Sequence, residues 1–209
     1  MRGAASSFLG RSILTDYIDI GLVESWLDRC ERYHKRSCLE SGVLTLKIPR
    51  NFRLIDLYAD EVIAAPAQCT YVAMSYYWVQ VGWQMSTTRS TYARRAERGT
   101  FTFLLPSWLP NTIKDSMSLA KVLGFQYLWN DSLCIIQDDL TDLESQIARV
   151  DAIYTNAHLT IIAGSGVHAD VGLHGISVPR RSVQHVESVQ GLQLANILPR
   201  YHQVEPQLA

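Results

Sequence analysis

Leu123-Gly124-Phe125-Gln126-Tyr127-Leu128-Trp129-Asn130-Asp131-Ser132-Leu133-Cys134-Ile135-Ile136-Gln137-Asp138 is the stretch of this chain whose reading decides its fold. Gly124 is a left-handed stop for a preceding helix. Tyr127 to Trp129 and Leu133 to Ile136 are short apolar runs suited to buried strand, either as two strands or as one strand with its continuation. Upstream, Ile113, Met117, Ala120 and Leu123 recur as one apolar stripe, predicting a helix over about 113–123. Thr112-Ile113-Lys114-Asp115 reads as its capping box, the Thr hydroxyl serving a backbone N–H while Asp115 reaches back to the cap, with Pro110 shaping the start. Downstream, Thr141-Asp142-Leu143-Glu144 reads as a second capping box. It opens a helix over about 142–155 with Ile147, Val150 and Tyr154 on one face, and His158 to Ala163 follows as a strand.

Further out the same logic continues. Tyr71 to Ser75 and Arg53 to Tyr58 are rich in β-branched and aromatic residues and read as strands. Thr87 to Arg98 suits a polar helix, and Leu22 to Ser37 a helix with Leu22, Trp26, Cys30 and Tyr33 at three- and four-residue steps. Strand alternating with helix is the signature of βαβ crossovers, so the expected fold is three-layer α/β, a mainly parallel sheet flanked by helices. An N-terminal helical segment over 1–44 precedes a core domain over 45–176. Residues 177–209 are loop-like, with one weak strand candidate at Leu192 to Leu198. Trp129, Leu133, Ile135, Ile161 and Leu123 are expected inside, and Asp138 and Asp139 at least partly exposed.

Composition narrows the function classes. The chain has 209 residues and a net charge of −1, so no overall field draws it to nucleic acid or an anionic membrane. Arg94, Arg95 and Arg98 read as a solvated face. No stretch reaches the ~20 apolar residues that span a bilayer. Cys30, Cys38, Cys69 and Cys134 form no disulfide framework, and reduced thiols in the cytoplasm are the simplest reading. A mitochondrial presequence is the competing one, because Arg2, Arg11 and several serines precede the first acid, Asp16.

Candidate chemistry is sparse. Cys30, His34 and Cys38 are spaced four apart, but on one helix the two thiols lie about 12 Å apart, too far for one tetrahedral zinc. No metal site is therefore expected, and the Cys/His face is read as packing on the sheet. No nucleophile elbow, P-loop or G-x-G-x-x-G is present. Placement says more. In open α/β sheets ligands sit beyond the carboxyl ends of the strands. That edge should gather Ser75, Tyr76 and Trp78, then Asp131, Gln137, Asp138 and Asp139, then Gly164 to Gly166. The aspartates also suit a plain role as acids at a helix N-terminus.

These segments match, in order and spacing, the heterokaryon-incompatibility (HET) domain of filamentous fungi. Tyr71 to Trp78 resembles Y-x-A-L-S-Y-x-W-G, Leu109 to Asp115 resembles L-P-x-T-I-x-D, and Leu123 to Asp138 resembles L-G-x-x-Y-L-W-x-D-S-L-C-I-I-Q-D. Ile153 to Ile161 resembles I-Y-x-N-A-x-L-T-I. Val79 stands where the family has Gly, and Gly175 follows His174 where Phe is common. The segment W-x-x-R-x-W-T-x-Q-E is not found, so the chain reads as C-terminally truncated.

The resemblance implies a flavodoxin-like sheet distantly related to Toll/interleukin-receptor (TIR) domains. It implies a role in vegetative incompatibility, self/non-self recognition and regulated cell death. One expectation is a signalling module that binds a protein partner or itself, with no cofactor. A second is NAD cleavage, NAD being a substrate, with Glu144 as the acid by TIR analogy, set against its plain role in the capping box. An inactive fragment is the third.

Overall fold

A computed structural model of the chain describes residues 16–33, 47–77, 86–104, 108–164, 168–180 and 184–195. After helix α1 (Ile20–Tyr33) come strands β1 (Arg53–Asp56), β2 (Glu61–Ala64) and β3 (Tyr71–Tyr76), then helix α2 (Arg89–Arg95) and a π-helical turn (Thr100–Leu104). Helix α3 (Asn111–Val122) leads into β4 (Tyr127–Trp129). Three short helices follow, α4 (Asp131–Cys134), α5 (Leu140–Ile147) and α6 (Val150–Asn156), then β5 (Leu159–Ala163) and the hairpin β6 (Val186–Val189) and β7 (Leu192–Ala195).

The main sheet is five-stranded, in the order β2-β1-β4-β3-β5. β3 runs parallel to both neighbours, with Tyr71 opposite Tyr127 and Val72 opposite Leu159. β1 is antiparallel to both β2 and β4. The expected mainly parallel sheet is thus a mixed one. Arg53 to Tyr58 does not continue as strand beyond Asp56, because Asp56 Oδ1 accepts the N–H groups of Tyr58 and Ala59, each at 2.9 Å, and turns the chain back as β2. Such side-chain capture of the following backbone is how aspartate makes turns.

The run Leu133 to Ile136 is not a strand. Asn130 is the N-cap of α4, its side-chain oxygen accepting from Leu133 N at 3.2 Å and from Ser132 Oγ at 2.7 Å. The polar triplet Asn130-Asp131-Ser132 therefore starts a helical turn and overrides the apolar run behind it. Burial is as expected for Trp129, Leu133, Ile135 and Ile161, whereas Leu123, the C-cap of α3, is only half-buried. Ile113 is the fully buried anchor of that helix.

Neither capping box forms as read. Pro110 is the N-cap of α3, which leaves Thr112 and Asp115 inside the helix. Both instead hold the loop at 168–177: Gly172 N donates to Thr112 Oγ1, and Leu173 N and Ser177 Oγ donate to Asp115 Oδ2. The loop in turn satisfies the first amides of α3, through Asp170 Oδ1 on Asn111 N and Ala169 O on Thr112 N. In α5 the N-cap is Asp139, accepting from Thr141 N and Asp142 N. The expected single helix over 142–155 breaks at Ala148–Arg149. No helix-breaking residue marks the break. Tertiary contacts flank it, Gln146 Nε2 donating to Asn51 O and Arg149 Nη1 to Lys47 O.

No residue of α1 is fully buried, so its Cys30 does not seat deeply on the sheet, and His34 and Cys38 lie outside the described residues. The N-terminal segment is tied on by Ile18 N to Gly175 O at 2.8 Å, Arg180 N to Asp16 O at 2.9 Å and His158 Nε2 to Glu31 Oε1 at 2.9 Å. Gly175 has φ 91°, and a Cβ there would meet Ile18 at 2.8 Å. Glycine at this position is what lets the N-terminal segment cross so closely.

Candidate functional site

The parallel strands lie in the order β4-β3-β5, so the chain leaves the central strand β3 to one side and later crosses to the other. A crevice outside the carboxyl ends of the strands is expected at such a point. Ser75 and Tyr76 end β3 there, Gly164 follows β5, and Asn130 and Asp131 follow β4. Trp78 and Gly166 lie outside the described residues.

Three of the expected residues meet across this edge. Ser75 is half-buried beside the phenol of Tyr154, which also donates to Met74 O at 3.2 Å. Burial pushes the Tyr154 phenol up, with the Ser75 hydroxyl opposing and Asp131 adding to the rise. Asp131 is half-buried, and burial raises its carboxyl above the ordinary value against the pull of Ser132 N–H, which donates at 2.7 Å. Gln137 turns back over it, Nε2 donating to Asp131 O at 2.9 Å and Ile135 O at 3.3 Å. The result is a half-exposed edge of hydroxyl, phenol, carboxyl and amide groups above the Trp129 and Tyr154 rings, which meet edge-on at 5.5 Å.

Asp138 and Asp139 do something plainer. Asp138 Oδ1 accepts the first amide of α2, Arg89 N, at 2.7 Å, and Asp139 caps α5 while pairing with Arg89 Nη2 at 3.1 Å. The Arg89 hydrogen bond, with the Asp142 amide, holds the Asp139 carboxyl below its ordinary value. Both aspartates thus sit at helix N-termini, where the positive end of the dipole favours them. Glu144 is exposed at the fifth position of α5. Its side chain makes no hydrogen bond or ion pair among the described residues.

Sequence reasoning missed what underlies this edge. Asp142, in the first turn of α5, is buried and pairs with buried Arg53 at the start of β1, and its Oδ2 also accepts Ile136 N at 2.9 Å. Arg53 Nε donates to Cys134 O at 2.9 Å, and the guanidinium lies 5.5 Å from the Tyr92 ring centroid. One buried ion pair thus fastens α4, α5 and β1 together. Burial pushes the Cys134 thiol up to about 12, so it is an inert core group near neutrality. An arginine opening an apolar strand was the available signal. Among the described residues no cluster of His, Cys, Asp and Glu suits a metal ion, and no helix is long and apolar enough to cross a membrane.

Sheet order and edge define the class: a mixed α/β domain that gathers its most distinctive sequence at the carboxyl end of a central strand. Within that class, the family model for heterokaryon incompatibility protein (HET) matches residues 71–205, well over half of the chain, and the chain belongs to that family. The match takes in β3, the α3 clamp, the edge and the β6–β7 hairpin. No curated protein and no solved structure matches the chain.

Proposed function

We propose that this HET-family chain acts in heterokaryon incompatibility as a protein–protein signalling module, contributing to self/non-self recognition and regulated cell death. The observation that carries the reading is the half-exposed polar edge of Ser75, Tyr154, Asp131 and Gln137, built by the family's own matched segments. Such an edge, on a rigid sheet and fastened beneath by Arg53 and Asp142, presents the same donors and acceptors each time, which suits recognition by a partner or a second copy. A TIR-like ancestry and a cytoplasmic location are parts of the same reading.

NAD cleavage is the competing mechanism, and Glu144 is its acid. A carboxylate that stabilises positive charge on a ribose cannot be replaced by an amide. Inducible expression in filamentous fungal cells, with NAD measured alongside viability, separates the readings. Death without NAD loss supports the module, death with NAD loss supports the hydrolase, and survival supports an inactive fragment.

A further inference from the structure

At the opposite end of the sheet, where β1 turns into β2, a cleft of about 380 Å³ opens between that turn, the segment after α2 and the end of α3. Its charged walls are Arg98, Lys121 and Asp60, with Tyr58 and Thr102 beside them. The volume falls in the range of small-molecule sites.

Three independent features mark it. First, the backbone is unusual on two walls. Asp60 is a non-glycine residue at φ 61°, held there by Asp60 N to Asp56 O at 2.7 Å and by Thr102 N to Asp60 Oδ2 at 2.5 Å. Thr102 belongs to the π-helical turn Thr100–Leu104. Residues held in sparsely populated conformations and π turns both concentrate at functional sites. Second, the cations are exposed, with Arg98 acting only at a distance on Asp56. Among the described residues neither the Arg98 nor the Lys121 side chain makes a hydrogen bond or ion pair, whereas the nearby acids are occupied, Asp60 by Thr102 N–H and Asp56 by Tyr58, Ala59 and Gln126. The two cations outnumber Asp60, the one acid that lines the cleft, and together they favour an anion between them. Third, Tyr58 is 64% exposed, leaving an aromatic face for a planar group.

We infer that this cleft binds a small phosphate-bearing ligand with a planar ring, of mononucleotide size, the phosphate between Arg98 and Lys121 and the ring on Tyr58. The site is at the far end of the sheet from the carboxyl edge, so it stands or falls separately from the proposed function.

Calorimetric titration of the full chain with adenosine 5′-monophosphate, ribose 5-phosphate and inorganic phosphate tests it. The expected order of affinity is the mononucleotide, then the sugar phosphate, then phosphate. Arg98→Ala and Lys121→Ala should each weaken the mononucleotide about tenfold, the scale of one charge-assisted hydrogen bond. Tyr58→Ala should reduce the mononucleotide to the affinity of the sugar phosphate while leaving phosphate unchanged. Arg98 and Tyr58 are exposed and Lys121 lies on the outer face of α3, so unchanged thermal melts confirm that the variants fold. No heat with any of the three ligands at about millimolar protein-saturating concentrations overturns the inference. So does binding that survives Arg98→Ala with Lys121→Ala, or three ligands bound alike.

Discussion

The two ends of the sheet each hold an aspartate at or just past the end of a strand, and they treat it in opposite ways. Asp56 closes β1 with three donors on its carboxylate, the amides of Tyr58 and Ala59 and Gln126 Nε2. Burial acts to raise its carboxyl, and the Ala59 amide, Gln126, the Tyr58 amide and Arg98 together overcome that and hold it below the ordinary value. Asp131 follows β4 with the Ser132 amide and its own amide acting on its carboxylate, and burial outweighs both. The balance of burial against hydrogen-bond donors and nearby charge sets the sign at each. Their supports differ as well. The Asp56 turn is local, its backbone donors lying two and three residues away, whereas the edge around Asp131 is fastened by Arg53 and Asp142, 89 residues apart. One end is a turn built chiefly from its own backbone, with Gln126 reaching in from 70 residues away. The other is a tertiary construction.

If that contrast is right, the largest effect belongs to the long-range support. Asp142→Ala leaves the Arg53 guanidinium buried and unpaired and should cost about 3–5 kcal/mol in chemical denaturation. Replacing both partners with apolar residues should recover much of the loss, because no charge is then stranded. A single-variant cost below about 1 kcal/mol would show that the edge is not built on this pair.

Next comes the clamp between α3 and the loop at 168–177. Gly172 has φ 80°, and an added Cβ would lie 2.9 Å from Asp115 Oδ2 and 3.0 Å from Ser177 Oγ. Gly172→Ala should therefore cost about 1–3 kcal/mol through backbone strain, with further loss as the clamp is displaced. A melting temperature equal to that of the parent chain would mean the loop does not brace α3. The local turn should be the more forgiving end. Asp56→Ala removes three hydrogen bonds that water can largely replace, and a loss of about 1–2 kcal/mol is expected, well under that of Asp142→Ala.

The smallest effect is the most diagnostic of the sign difference. Asp131 has a folded-state value above the ordinary 3.8, so the folded chain holds that proton more tightly than the unfolded chain. Its contribution is present below pH 3.8 and is lost as pH rises through the raised value. Asp56, shifted the other way, contributes above 3.8 and loses that contribution as pH falls through its lowered value. Asp131→Asn should thus gain stability relative to the parent as pH rises above 3.8, and Asp56→Asn should lose it as pH rises toward 3.8 from below. Parallel stability profiles for both variants would erase the distinction between the two ends.

What could be read from sequence follows the same division. Tyr71 to Ser75, Tyr127 to Trp129 and His158 to Ala163 were legible as strands, to within a residue of their ends, because each is a short, largely apolar run bounded by polar or turn residues. The rule that ligands sit beyond the carboxyl ends of strands set Ser75 and Asp131 at one sheet edge. The capping boxes at Thr112 and Thr141 were misread for different reasons. At the first, Thr112 and Asp115 serve a loop far along the chain, which looks the same in sequence as serving a local amide; at the second, Asp139, two residues earlier, takes the N-cap. Leu133 to Ile136 was misread because its apolar character outweighed Asn130, whose capping role was the better guide.

Under the proposed signalling role, killing by this HET-family chain depends on the carboxyl edge and not on Glu144. The direct measurement is viability together with NAD content in fungal cells expressing the parent chain, Glu144→Gln or Asp131→Asn. The account predicts that the parent and Glu144→Gln kill alike without lowering NAD, while Asp131→Asn, folded and equally abundant, kills less. Death accompanied by NAD loss and abolished by Glu144→Gln would contradict it.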